Sequence, residues 1–436
     1  MSQSESESRA ESATNFLNSR MGRRGFLGTV LGGTAALIMQ AYGRNTPVGA
    51  QSTSGSQGYL PFMSKNGDQP AFILTPTPLP TSTPESYPIG EELGASRPEA
   101  NPIAEELEPT ATPQPTPTPR PQPTPFPPGA KTKLGLFVGY HHAKLIDMLQ
   151  TGNVAFIKTL EYDANLMEFI KQTSPNTIIV ARYTPLAQIE WHSADPMHEA
   201  RRFVDLILPI ATEPKRHANI DAWESYNEPI AQSPEAMQRL GAFEAERTRL
   251  LAQAGIRSCI GNFGTGLPAL ELWPHFLPAV QAVKEHNGYL GLHEYSAPYM
   301  WFGSGPYQLE EGVNEGDEGW LTLRYRKVYR QFLQPAGLEV PLLITETGID
   351  GQVQNRPGPR GLGWQDFQKF WEDEGHMRTT APGFYIEQLA WYDRQLQQDH
   401  YVKGAAIYAL GASRGWGSFE LAGHSAEILH QYFTVH

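Results

Sequence analysis

The chain has 436 residues, a formal net charge of −12 and one cysteine, Cys259. Its basic residues are scattered, which argues against a nucleic-acid partner, since that needs a clustered Lys/Arg face. A lone cysteine excludes a disulfide framework within the chain. Composition divides the sequence: before about residue 131 it is rich in Ser, Glu, Pro and Thr, and the hydrophobic residues concentrate after it.

Residues 22–38 combine Arg23-Arg24, Phe26-Leu27 and a short, weakly apolar run containing Gly and Ala, behind a long polar leader. This resembles a twin-arginine export signal. The apolar run is shorter than the roughly 20 residues of a membrane span. Val48-Gly49-Ala50 offers small residues to a peptidase, which makes 1–50 the expected signal, cut after Ala50. The resemblance implies passage through the twin-arginine export machinery to the periplasm, cell surface or exterior. Residues 51–130 are expected to be a disordered Pro/Thr-rich linker, with Thr-Pro repeats from about 76 to 128 and an acidic interlude at 91–108. Such a segment prefers extended polyproline II, about 3.1 Å per residue, and suits a spacer attached to the cell envelope.

From 131 to 436 short β-rich runs alternate with helical stretches. The expected strands are 134–140, 154–161, 177–183, 222–227, 257–263, 289–295, 341–345 and 404–410. Between them lie amphipathic stretches such as 196–210, with Phe203, Leu206, Ile207 and Ile210 on one side, and 234–254, with Leu240, Phe243, Leu250 and Leu251. Strand–helix alternation repeated eight times predicts an α/β fold, a (β/α)8 TIM barrel. A doubly wound sheet would bring a Gly-rich phosphate loop after an early strand, whereas the first strand here runs into Gly139-Tyr140-His141-His142.

Two strand ends carry a glutamate: Asn227-Glu228-Pro229 after the fourth, and Thr345-Glu346-Thr347-Gly348 after the seventh. Carboxylates at the C-terminal ends of two barrel strands can converge on one substrate bond, one as proton donor and one as nucleophile. These motifs, with His293-x-Tyr295 on the sixth strand, resemble clan A of the glycoside hydrolases over residues 134–430. The resemblance implies acid/base catalysis by Glu228, nucleophilic catalysis by Glu346 and a carbohydrate substrate cleaved with retention. Two rivals are a carbohydrate-binding barrel without turnover at the cell surface, and a transglycosylase on the same site.

The neighbouring residues take supporting roles in this reading. Asn227 is placed to donate its amide to a sugar 2-hydroxyl, Tyr295 to donate its hydroxyl to Glu346, and His293 to hold Glu228 or a sugar hydroxyl. Lys158, Arg182 and Glu224 are charges within strands, and Arg182 is the expected partner of Glu224, with a further contact to Glu346 open to it. Family members carry an Arg near the end of strand two and a His near the end of strand three, where this chain has Lys158 and Arg182. Trp191, Trp301 and Trp416, together with Tyr299, are candidate sugar-stacking residues. The family's strand-eight Trp is replaced by Tyr408-Ala409-Leu410-Gly411, so Trp416 would have to reach back from its loop. No His-Glu-x-x-His or spaced Cys/His set occurs, and adjacent His141-His142 would point to opposite faces of a strand, so neither metal nor cofactor is expected. The acidic run Asn314–Gly319 lacks calcium-loop spacing and reads as a solvated insertion.

Overall fold

The computed structural model describes residues 126–436 apart from 141, 184–191, 193–194, 308, 310–312, 354–355, 376 and 378. The expected signal and nearly all of the expected linker, and Trp191, lie outside the described residues. Eight parallel strands close into a barrel in sequence order: β1 Leu134–Val138, β2 Phe156–Thr159, β3 Ile178–Arg182, β4 Ala222–Glu224, β5 Ser258–Phe263, β6 Tyr289–Ser296, β7 Leu342–Ile349 and β8 Val402–Leu410. Each strand is covered on its outer side by helices, so the strands read as nearly continuous apolar runs, such as Leu-Gly-Leu-Phe-Val in β1.

Side-chain alternation sorts each strand into two faces. Phe137, Phe156, Val180, Ala222, Cys259, Tyr289, Leu343 and Ala406, one from each strand, fill a single inner cluster. Leu136, Ile157, Ile179, Trp223, Ile260, Leu290, Leu342 and Ile407 face the helices in the larger outer core. Lys158, Arg182 and Glu224 each stand two residues beyond an inner-cluster member, so alternation carries three charges into the barrel mouth.

The helices begin where the sequence supplies caps. Asp195 accepts from the His198 N–H at the start of Pro196–Ala211, and Ser233 accepts from Ala236 at the start of Pro234–Gln253, each with proline in the first turn. The first buries Phe203, Val204, Ile207 and Ala211, while Leu206, expected on the buried side, is 46% exposed. The acidic run after β6 is exposed at Asn314, Gly316 and Asp317, and it is tied to the following helix: Glu315 and Glu318 pair with Lys327, and Asp317 and Glu318 with Arg330. Asp317 is held down to about 2 by the Arg330 guanidinium.

Candidate active site

Two irregularities set the geometry of the barrel mouth. In the β6–β7 pairing Leu292 faces Ile344 but His293 faces Glu346, so Thr345 is an extra residue that re-aims the end of β7. In the β5–β6 pairing Gly261 faces Gly291 but Phe263 faces Leu292, leaving Asn262 as the extra residue, with φ +47°. β4 ends at Glu224, earlier than the sequence predicts, and Glu228 lies four residues beyond it with φ also +47°. Glu346 sits inside β7, because the strand continues to Ile349.

The two glutamates converge. Glu228, His293 and Glu346 each bring a ligand atom into a group whose members all lie within 4.8 Å of one another. Their surroundings differ: the Glu228 side chain is 35% exposed and that of Glu346 10%. Gly264 lies against the Glu228 carboxyl, where an added Cβ would come within 3.2 Å of its Cδ, so any side chain at 264 would crowd that group.

Both Glu346 oxygens are held. Lys158 Nζ donates to Oε1 at 2.9 Å with Arg182 Nη1 at 4.0 Å, and the Tyr295 hydroxyl donates to Oε2 at 2.9 Å. Burial pushes the Glu346 carboxyl up, but His293, Lys158 and Arg182 outweigh it and hold the group well below the usual carboxylate range, at about 2. Burial and the Glu346 charge push the Tyr295 phenol upward, so it keeps the proton it donates.

His293 joins the two carboxylates. Its Nδ1 is 2.8 Å from Glu228 Oε1 and 3.5 Å from Glu346 Oε2, and its Nε2 is 3.5 Å from Lys158 Nζ. A carboxylate oxygen only accepts, so the proton on His293 Nδ1 is directed to Glu228. Arg182 hydrogen-bonds Asn227 Oδ1, which turns the Asn227 amide nitrogen away and frees it for a ligand.

The expected Arg182–Glu224 pair does not form. The two residues are register neighbours in β3 and β4, yet it is Lys158 that lies 3.3 Å from the fully buried Glu224. Arg182 instead reaches upward to Asn227 and Glu346. The Glu228–His293–Glu346 group is the cluster among the described residues with donors for a metal ion. Lys158, beside both Glu346 and His293, already supplies positive charge there.

Of the stacking candidates, Trp301 packs against Tyr299, Tyr307, Phe384 and Trp391 in an aromatic cluster behind the loop after β6. Trp416 meets Tyr408 and Phe419 edge-on or tilted. Tyr408, on β8, contacts Phe137, Tyr295 and Trp416 and so forms an aromatic wall beside the hydroxyl partner of Glu346. Asp350, one residue past β7 and half-buried, is pushed up to about 6 by burial, with the Glu228 charge adding to it. Nothing in the sequence marks a role for Asp350, Tyr408 or Asn262, and Lys158 stands out there only as a charge within a strand, where the resembled family carries an Arg. A lysine among Phe156, Ile157 and Thr159 was the available signal, because a cation in so apolar a strand needs a partner.

No protein-family model and no curated protein matches the chain. Solved structures similar to it include the β-glucuronidase of Ruminococcus gnavus, 14% identical with a TM-score of 0.41 over 69% of this chain and 49% of that one. Others are a family 39 glycoside hydrolase from Bacteroides cellulosilyticus WH2, 12% identical, TM-score 0.44, over 70% and 64%, and a GH128 (subgroup II) endo-β-1,3-glucanase from Pseudomonas viridiflava, 13% identical, TM-score 0.35, over 69% and 97%. The match spans about half the length of the β-glucuronidases.

Proposed function

We propose that the barrel is a retaining glycoside hydrolase acting on β-linked oligo- or polysaccharides. The observation that carries the reading is the approach of Glu228 and Glu346 to within 4.8 Å. A retaining mechanism uses carboxyl groups about 5–5.5 Å apart, whereas an inverting one leaves about 6.5–9.5 Å for a water. Charge inventory divides the roles. Lys158 and Arg182 are two buried cations facing two enclosed carboxylates, Glu224 and Glu346, which leaves Glu228 with a histidine and solvent.

In this mechanism Glu346 attacks the anomeric carbon while Glu228 passes its proton to the departing glycosidic oxygen, giving a glycosyl ester on Glu346. Glu228, now a carboxylate, takes a proton from water, which attacks the same carbon and releases the sugar and Glu346. Tyr295 and Lys158 hold the nucleophile ionised and oriented, and the Asn227 amide meets the sugar 2-hydroxyl.

Export fits the arginine pair and the spacer-like composition of the first 130 residues. The test for activity is a panel of aryl β-glycosides and β-linked polysaccharides, followed by trapping with a 2-deoxy-2-fluoro glycoside and peptide mapping. A covalent sugar on Glu346 supports the reading, and turnover with a label elsewhere removes it. For export, Arg23→Lys with Arg24→Lys is expected to retain the protein inside the cell, and unchanged secretion would dismiss the signal.

A further inference from the structure

Asn262 lies in β5, fully buried, and the side chains that donate to its Oδ1 are those of Thr345 and Cys259. Both catalytic candidates are tied to it. Its backbone carbonyl accepts the Glu228 N–H at 3.0 Å, so one hydrogen bond joins two non-glycine residues that both have φ +47°. Its Oδ1 accepts the Thr345 hydroxyl at 3.0 Å, and Thr345 is the bulge residue immediately before Glu346. β6 makes room for this amide: a Cβ on Gly291 would lie 2.1 Å from Asn262 Oδ1.

Stability of the barrel alone is a poor reason for an amide here. Asn262 Nδ2 is buried with no hydrogen-bond partner among the described residues, an unfavourable arrangement that a small apolar residue would avoid. Asparagine does, however, combine tolerance of a left-handed backbone with a side-chain acceptor.

We propose that Asn262 is a positioning residue that keys Glu228 and Glu346 to one another, its backbone holding the first and its side chain, through Thr345, the second. This rests on the reading of those two glutamates as the catalytic pair. Because both anchors are on one residue, a shift of the β7 bulge changes the distance between acid and nucleophile directly. The effect falls on alignment at the reacting bond, and substrate affinity is spared.

The test uses full-length protein carrying Asn262→Gly, Thr345→Val, Thr345→Ser, or Asn262→Gly with Thr345→Val, with a melting curve for each. Glycine accepts the left-handed backbone, so Asn262→Gly deletes the side chain and keeps the carbonyl. Expected on an aryl β-glycoside is a fall in kcat of about tenfold or more for Asn262→Gly and Thr345→Val, with KM within about twofold, as for a small misplacement of reacting groups. The double variant should be no worse than the weaker single, and Thr345→Ser should recover most of the rate. Should Asn262→Gly fail to fold, the Thr345 variants decide alone. Values of kcat within about twofold of wild type in folded single variants, or losses that multiply in the double, overturn the proposal. If wild type neither turns over any aryl β-glycoside nor is labelled by the fluoro-sugar, the reading of the carboxylate pair falls, and the positioning role with it.

Discussion

Two groups of buried charge stand a few residues apart in this barrel and differ in how completely they are satisfied. Behind β4, Glu244 and Arg247 are both fully buried at 2.7 Å; Glu244 also accepts from Ser225, and Arg247 donates to the Trp223 and Cys259 carbonyls. Each charge there has protein partners on every side, and the cluster fastens a helix to the barrel wall. At the mouth, Lys158 is shared between Glu224 and Glu346, neither Glu224 oxygen has a hydrogen bond among the described residues, and Glu228 stays open to solvent. Closed networks of this kind hold a fold; networks with unused capacity are available to a substrate.

The contrast breaks most sharply at Glu346. Glu346→Ala should lower kcat by roughly 10⁴–10⁶-fold while the protein stays folded, measured by steady-state kinetics and circular dichroism. Glu228→Ala should cost about 10²–10⁴-fold on poor leaving groups and far less on activated aryl glycosides, which a leaving-group series would show. Equal losses across that series would remove Glu228 as proton donor.

Breaking one ion pair in each network separates structure from chemistry. Arg247→Met and Lys158→Met should each destabilise by about 3–5 kcal/mol, because each leaves a buried carboxylate without its cation. Arg247→Met should leave the kcat of folded enzyme within about twofold of wild type, since its cluster faces away from the mouth. Lys158→Met should lower kcat and move the acid limb of activity to higher pH. The low Glu346 value gives the sign for stability: its contribution is complete above the ordinary value of 4.5 and is lost as pH falls towards about 2. In Lys158→Met that loss should begin at higher pH in acid-unfolding curves.

The smallest effect concerns Asp350, which is raised from 3.8 to about 6. Here the folded state holds the proton more tightly, so stability should decline as pH rises from about 3.8 to 6 and level off above. Asp350→Asn keeps an acceptor for the Gln352 N–H and should flatten that decline; an unchanged profile would mean that other groups cause it.

The eight strands were legible because each is a short apolar run set between amphipathic helices, and Glu228 and Glu346 because each follows such a run. What escaped the sequence depends on register. Arg182 and Glu224 are neighbours across β3 and β4, as strand counting suggests, but the lysine one strand further on occupies the inner position beside Glu224. The bulge at Thr345 decides which side chain on β7 meets His293, the one at Asn262 shifts β5 against β6, and neither residue is a glycine or proline that would mark them. Trp301 shows another limit of the sequence: Phe384 and Trp391, more than 80 positions away, meet its ring edge-on, a contact that position after a strand does not announce.

The central claim is that Glu228 and Glu346 grip one β-glycosidic bond too closely for a water to stand between them and the sugar. Proton NMR of the first-formed product tests it most directly. The spacing predicts the β-anomer first, with the α-anomer appearing only as mutarotation proceeds. An α-anomer formed at once would mean single displacement by water and would contradict Glu346 as the nucleophile.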